Sequence, residues 1–284
     1  MSVVAEYAAN LHKREPKNHA LSSTFVCDLS AKKLDGVKVA IFDIYGTLIN
    51  YCPANFIGED EMKERQAAVF LKTAQEFGFT ETLEKIDPSS SAATSLANFY
   101  AGLLLMLRER DEKAGKKFSE PQVNDVWNLI LAILARNGYD FRKYGMAECD
   151  DFAKCIAYFF HFHSFARSAL FKNLGKTFGE LKSKGIRLGL LANTQFYTTF
   201  ELSLLLREDS IAEDYLDIFD GELCFFSYDF KMSKQSAVLH KKLFDILYDM
   251  QILPKDALFI SANEWDLSYA EQIGMRTAKA NAQV

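Results

Sequence analysis

Val37 to Phe42 (VKVAIF) is a near-continuous apolar run rich in β-branched residues, with Asp35-Gly36 in front and Gly46 behind. A run without polar alternation marks a strand buried on both faces, the signature of a parallel sheet covered by helices on each side. Asp43 follows at once, so a carboxylate leaves the carboxyl end of a strand. In open α/β sheets that end is where ligands bind.

The remaining pattern supports this frame. From about residue 53 to 165 the periodicity is helical. Apolar residues recur at spacings of three and four in Glu59–Phe77, Ala92–Arg110, Val123–Arg136 and Asp151–His163, with breaks at Asp87-Pro88 and Gly115–Pro121. Strand and helix then alternate. Leu170–Lys184 reads as a helix closing at Gly185 and Ile186–Leu191 as a strand. A short strand lies within Ile218–Phe226, followed by a helix over Ser236–Met250 and a strand over Ala257–Ile260. A helix over Leu267–Ile273 and a last strand near Thr277–Lys279 complete the chain. The expected fold is α/β: a doubly wound parallel sheet with an inserted all-helical domain. The expected division is residues 1–36 as an N-terminal extension, 37–52 with 166–284 as the α/β core, and 53–165 as the helical insert. In the extension, Ala5–Leu11 suits a short helix ended by Pro16, and Ser22-Ser23-Thr24 reads as loop.

Composition narrows the function classes. A net charge of −5 without a basic cluster argues against a nucleic-acid partner. The longest apolar run, Phe99–Leu107, falls far short of the ~20 residues that span a bilayer. Glu6 follows the N-terminus with no apolar segment before it, so no export signal is expected and the location expected is cytoplasmic. The five cysteines (27, 52, 149, 155 and 224) form no CxxC pair, which suits free thiols in a reducing compartment. His161 and His163 lie in a helical segment and read as packing residues rather than as a metal site.

Chemistry gathers at four strand ends. The first is Asp43-Ile44-Tyr45-Gly46-Thr47-Leu48, where glycine permits a sharp turn and the threonine hydroxyl can hold a carboxylate or an anion. The second is Leu191-Ala192-Asn193-Thr194, which could equally cap the next helix. The third runs from Phe226 through Lys231 to Lys234. The fourth is Ser261-Ala262-Asn263-Glu264-Trp265-Asp266.

FDIYGTL resembles the first motif of the haloacid dehalogenase (HAD) superfamily, and the fourth segment, with Ser261, Asn263, Trp265 and Asp266, is similar to that of its 2-haloacid dehalogenase branch. The resemblance covers roughly residues 37–50 and 165–280. It implies Asp43 as a nucleophile forming an aspartyl ester, and a helical cap that sets substrate choice. It implies Lys234 as the charge-offsetting lysine, with Lys231 as the alternative, and Asp266 as the retained carboxylate that orients the lysine, activates water or binds metal. Tyr45, Thr47, Asn193, Thr194, Ser261, Asn263 and Trp265 would contact a small anionic substrate. The chain departs from the pattern in four places. Tyr45 stands where phosphatases carry an acid, Ala192 where a hydroxyl is usual, and Gln235 where proline follows the lysine. Ser261 also replaces an acidic magnesium ligand, so that Mg2+, if used, would have only Asp43, Asp266, a carbonyl and water. Three readings follow: a metal-free dehalogenase-type hydrolase, a Mg-dependent small-molecule phosphatase, and a binding or regulatory protein that no longer turns over. Arg65, Arg108 and Arg110 are equal candidates for a halide-binding arginine.

Overall fold

The computed structural model describes residues 2–15, 24–27, 29, 34–51, 59–164 and 168–283. The expected break at Pro16, the Ser22-Ser23 loop, Cys52 and the expected boundaries at 52–53 and 165–166 lie outside these residues. The chain divides into two compact units, Met1–Lys17 with Pro53–Ala166, and Asn18–Cys52 with Arg167–Val284.

The second unit is built on a six-stranded sheet in the order β1-β8-β7-β2-β5-β6. Its strands are β1 (Thr24–Cys27), β2 (Val39–Phe42), β5 (Arg187–Ala192), β6 (Cys224–Phe226), β7 (Ala257–Ser261) and β8 (Arg276–Gln283). All neighbours are parallel except β1, which runs antiparallel along β8. Two further strands, β3 (Ile49–Tyr51) and β4 (Ser168–Leu170), form a separate antiparallel pair. The β2 strand has β5 on one side and β7 on the other, so the connections leave it in opposite directions. That is the topological switch point of a doubly wound sheet, where a crevice opens at the strand ends.

The doubly buried character read from VKVAIF is visible residue by residue. All of β2 is solvent-inaccessible. Ala40 and Phe42 join one apolar cluster, where Phe42, Phe178 and Phe219 meet edge to face at centroid distances of 5.3–6.2 Å. Val39 and Ile41 join the opposite cluster with Phe259, Leu239, Leu243 and Leu247. Rings in such T-shaped contacts add about 0.5–1.5 kcal/mol per pair beyond their buried area.

Among its described residues the first unit has helices and connecting turns: α1 (Val3–Arg14), α2 (Glu59–Glu76), α3 (Thr80–Ile86), α4 (Ala92–Lys113), α5 (Val123–Arg136) and α6 (Cys149–Ser164). Phe77 anchors it, with Phe152 and Phe159 edge-on at 5.5 and 5.3 Å. His161 and His163 both lie on α6, His161 buried and His163 Nδ1 3.3 Å from Lys72 Nζ. Among the described residues no helix is long and apolar enough to cross a membrane, and Cys27, Cys149, Cys155 and Cys224 form no disulfide.

Three local expectations change. Residues 1–36 are not one appendage. Helix α1 packs against α6, where the His12 ring pairs with the Tyr158 hydroxyl at 2.8 Å, while β1 extends the sheet of the other unit. Thr24 therefore opens a strand rather than ending a loop. Leu170 closes β4, and the helix expected from Leu170 begins at Leu174 as α7 (Leu174–Ser183), after Asn173 in the left-handed region. The last helix starts earlier than expected, at Glu264, because the Asn263 side chain caps it by accepting the Trp265 N–H.

Candidate functional site

The four strand ends converge within the α/β unit. Asp43 leaves β2 still held by the sheet, its N–H donating to Ile260 O at 2.9 Å. The chain then reverses tightly: Ile44 O accepts the N–H groups of Thr47, Leu48 and Ile49, and Gly46 sits at φ +79°. An L side chain at that φ is strained, which accounts for the glycine. The Asp43 carboxylate is buried. Its Oδ1 accepts Ile44 N–H at 2.9 Å, while Oδ2 accepts Ser261 Oγ at 3.1 Å and Lys234 Nζ at 2.7 Å.

Lys234 is the centre of the cluster. Its ammonium lies 2.7 Å from Asp43 Oδ2 and 2.6 Å from Asp266 Oδ2, and all three side chains are buried. Burial lowers the lysine pKa, but the two carboxylates outweigh it and hold it above the ordinary value. Burial raises the Asp266 pKa; the ammonium opposes that shift and Asp43 adds to it. Lys231 is exposed, at φ +53°, beyond the single turn Ser227–Phe230, so Lys234 rather than Lys231 faces Asp43.

The other expected site residues divide by what they touch. Ser261 is fully buried and bridges, donating to Asp43 and accepting Asn263 N–H at 3.1 Å. Thr47, also fully buried, accepts Ala262 N–H at 3.0 Å and so ties the first strand end to the fourth. Asn193 Oδ1 accepts the backbone N–H of Lys234 at 2.6 Å, tying the second end to the third. Thr194 donates its backbone N–H to Ser227 Oγ at 2.7 Å, and its own hydroxyl accepts Tyr228 N–H at 3.4 Å. Thr194 is thus engaged with the third strand end through both groups. Asn263 acts as a helix cap, and Trp265 is 85% exposed. The Tyr45 phenol hydrogen-bonds to Thr198 Oγ1 and Glu201 Oε2, both at 3.1 Å, on α8 (Thr198–Glu208). Arg65, Arg108 and Arg110 are exposed on the helical unit, Arg110 beside Asp111.

Three participants were not read from sequence: Ser227, Glu201 and His240. Glu201 and His240 had a signal: Glu201 as the one charged residue among the buried positions of its helix, His240 as a lone polar residue among leucines. Glu201 sits among Leu202, Leu205 and Leu206, and His240 among Leu239, Leu243 and Leu247.

Magnesium does not suit this donor set. It needs several hard oxygens at near-octahedral positions. Here Asp43 and Asp266 share one ammonium between them, and the Ser261 oxygen is a neutral hydroxyl already donating to Asp43.

No protein-family model and no curated protein matches the chain. Among solved structures it aligns with the 2-haloacid dehalogenase from Pseudomonas syringae pv. Tomato DC3000, with a TM-score of 0.51 and 18% identity over 85% of each chain. The chain has the haloacid dehalogenase fold. Two other HAD structures align at lower TM-scores. One is a HAD family enzyme from Bacteroides thetaiotaomicron in complex with magnesium and inorganic phosphate, with a TM-score of 0.45 and 19% identity over 87% of this chain and 96% of that one. The other is L-2-haloacid dehalogenase from Xanthobacter autotrophicus with chloropropionic acid covalently bound, with a TM-score of 0.39 and 16% identity over 85% of this chain and 76% of that one. At these identities the HAD likeness is one of fold.

Proposed function

We propose that the protein is a HAD-type hydrolase that uses Asp43 as nucleophile, without metal, on a small anionic substrate of the 2-haloacid type. The observation that carries this reading is the ammonium of Lys234 held between Asp43 and Asp266, with Ser261 in place of a further acid. A carboxylate oxygen of Asp43 attacks the halogen-bearing carbon, the carbon–halogen bond breaks, and halide leaves with the bonding pair. The resulting aspartyl ester is then attacked at its carbonyl carbon by water. Asp266 accepts the water proton, and the alkoxide released takes up a proton to give the 2-hydroxy acid. Lys234 and Ser261 orient the nucleophile in the first step and stabilise the oxyanion in the second, the term that commonly contributes most to such catalysis.

Tyr45 fits the same chemistry. Phosphoester cleavage needs an acid at that position to protonate the leaving oxygen, whereas a halide leaves unprotonated. The phenol is neutral, since burial and the Glu201 carboxylate hold its pKa well above the usual value, and it is bonded to α8.

The test is halide release from a panel of 2-haloacids by wild type and Asp43→Asn, run beside an aryl phosphate with and without magnesium. Halide release abolished in Asp43→Asn, with an aspartyl ester trapped by mass spectrometry, supports the proposal. Magnesium-dependent phosphate release lost in the same variant makes the protein a phosphatase instead. No turnover of either class leaves the binding-protein reading.

A further inference from the structure

We propose that His240 is a positioning residue that holds Lys234 in place between the two carboxylates; this deepens the functional reading above and rests on it. Lys234 precedes α9 (Ala237–Asp249), where no helical hydrogen bond fixes its peptide groups. One backbone bond, Ser236 N–H to Ser233 O at 2.9 Å, and two side chains fix them instead. The Lys234 N–H donates to Asn193 Oδ1 at 2.6 Å, and its carbonyl lies 2.6 Å from His240 Nε2. A carbonyl can only accept, so Nε2 carries the proton. Both peptide groups flanking the Lys234 Cα are therefore anchored, one from the second strand end and one from the first turn of α9.

The ring is placed for this task. His240 is buried and rests on Tyr269 at a centroid distance of 4.5 Å, one turn beyond Asp266 on α10 (Glu264–Gln272). It thus spans the lysine loop and the helix that carries the lysine's second partner. Beside it lies a cavity of about 130 Å3, bounded by Lys234, His240, Asp266, Tyr269 and Phe259. A side chain next to open space is not fixed by packing on that side. The hydrogen bond to the Lys234 carbonyl supplies the constraint that close packing supplies elsewhere in the core. The Nδ1 atom is buried with no protein partner among the described residues, so the polar contact that the ring makes there is the one through Nε2.

The experiment compares His240→Gln, His240→Asn and His240→Phe with wild type. Glutamine places an N–H at the distance of Nε2, asparagine falls short, and phenylalanine keeps the ring without the donor. Two readouts are taken on protein shown to be folded by circular dichroism: kcat and KM on the best 2-haloacid, and the 15Nζ resonance of Lys234, assigned by its loss in Lys234→Met. An ammonium locked in place exchanges its protons slowly and gives a sharp resonance. The expected result is a kcat loss of up to ~10²-fold with little change in KM in His240→Phe and His240→Asn. The Lys234 resonance should broaden in both, and His240→Gln should recover most of each effect. A sharp, unshifted Lys234 resonance in His240→Asn, or equal losses in His240→Gln and His240→Phe, would overturn the proposal. If wild type turns over no haloacid, the functional reading fails while the resonance still decides the role of His240. If His240→Phe does not fold, the glutamine–asparagine comparison carries the test.

Discussion

The Thr47 hydroxyl, fully buried, accepts the backbone N–H of Ala262 at 3.0 Å and so joins the nucleophile loop to the loop that carries Asp266. A buried amide left without its acceptor costs about 1–3 kcal/mol. Thr47→Val keeps the shape and removes the acceptor, so it should lower stability by roughly that amount, whereas Thr47→Ser should lose less. Urea unfolding midpoints at constant m-value are the check. Equal midpoints for valine and threonine would show that the contact contributes nothing.

Alkaline pH should weaken the fold through two named groups. Lys234 titrates above the ordinary lysine value: burial alone would lower it, and Asp43 and Asp266 more than reverse that. A raised folded pKa means that its contribution is complete below ~10.4 and is lost as pH rises through the folded value. Tyr45 shifts the same way, through burial first and then Glu201, so its contribution is present below ~10 and lost above. Stability measured from neutral to strongly alkaline pH should therefore fall, and Tyr45→Phe and Lys234→Met should each flatten the fall. Lys234→Met should also cost about 3–5 kcal/mol at neutral pH, because it leaves two buried carboxylates without a cation. A pH profile identical in all three proteins would contradict these assignments.

Gly189 lies in β5 where neighbouring backbone and side chains leave no room for a methyl group. A Cβ there would stand 2.5 Å from Leu223 O and 2.7 Å from Ile41 Cδ1. Gly189→Ala is expected to destabilise by about 1–3 kcal/mol through overpacking in the buried strand next to the sheet edge. A drop in Tm is the readout, and an unchanged Tm would mean that the β5–β6 spacing yields easily.

Millimolar magnesium should leave the Tm of wild type where it is, since a ligand stabilises only in proportion to its binding. Ser261→Asp adds a carboxylate next to Asp43 and should create a magnesium-dependent rise. A wild-type Tm that climbs with magnesium and falls with chelator would show that the donor set holds the metal after all.

What the chain alone made legible was the set of strand ends. Val37–Phe42 is apolar at nearly every position because β2 is covered on both faces, and that property is local and readable. Asp43 and Ser261 could be placed at strand ends for the same reason, whereas the choice of Lys234 and Asp266 rested on the resemblance to the HAD motifs. The short edge strand β1 was not legible, since four residues with no turn signal become a strand only when β8 lies alongside them.

The sequence by itself therefore determined the α/β layering and the positions of the strand ends, because periodicity and strand burial are properties of neighbouring positions, and the motif resemblance picked out residues at those ends. The tertiary structure decided which of those residues meet. It set Lys234 rather than Lys231 against Asp43, turned the Tyr45 hydroxyl toward Glu201, and used Thr47 and Asn193 to hold loops together. Each of those contacts joins residues far apart in the chain, and no local pattern specifies which distant donor will satisfy a buried acceptor.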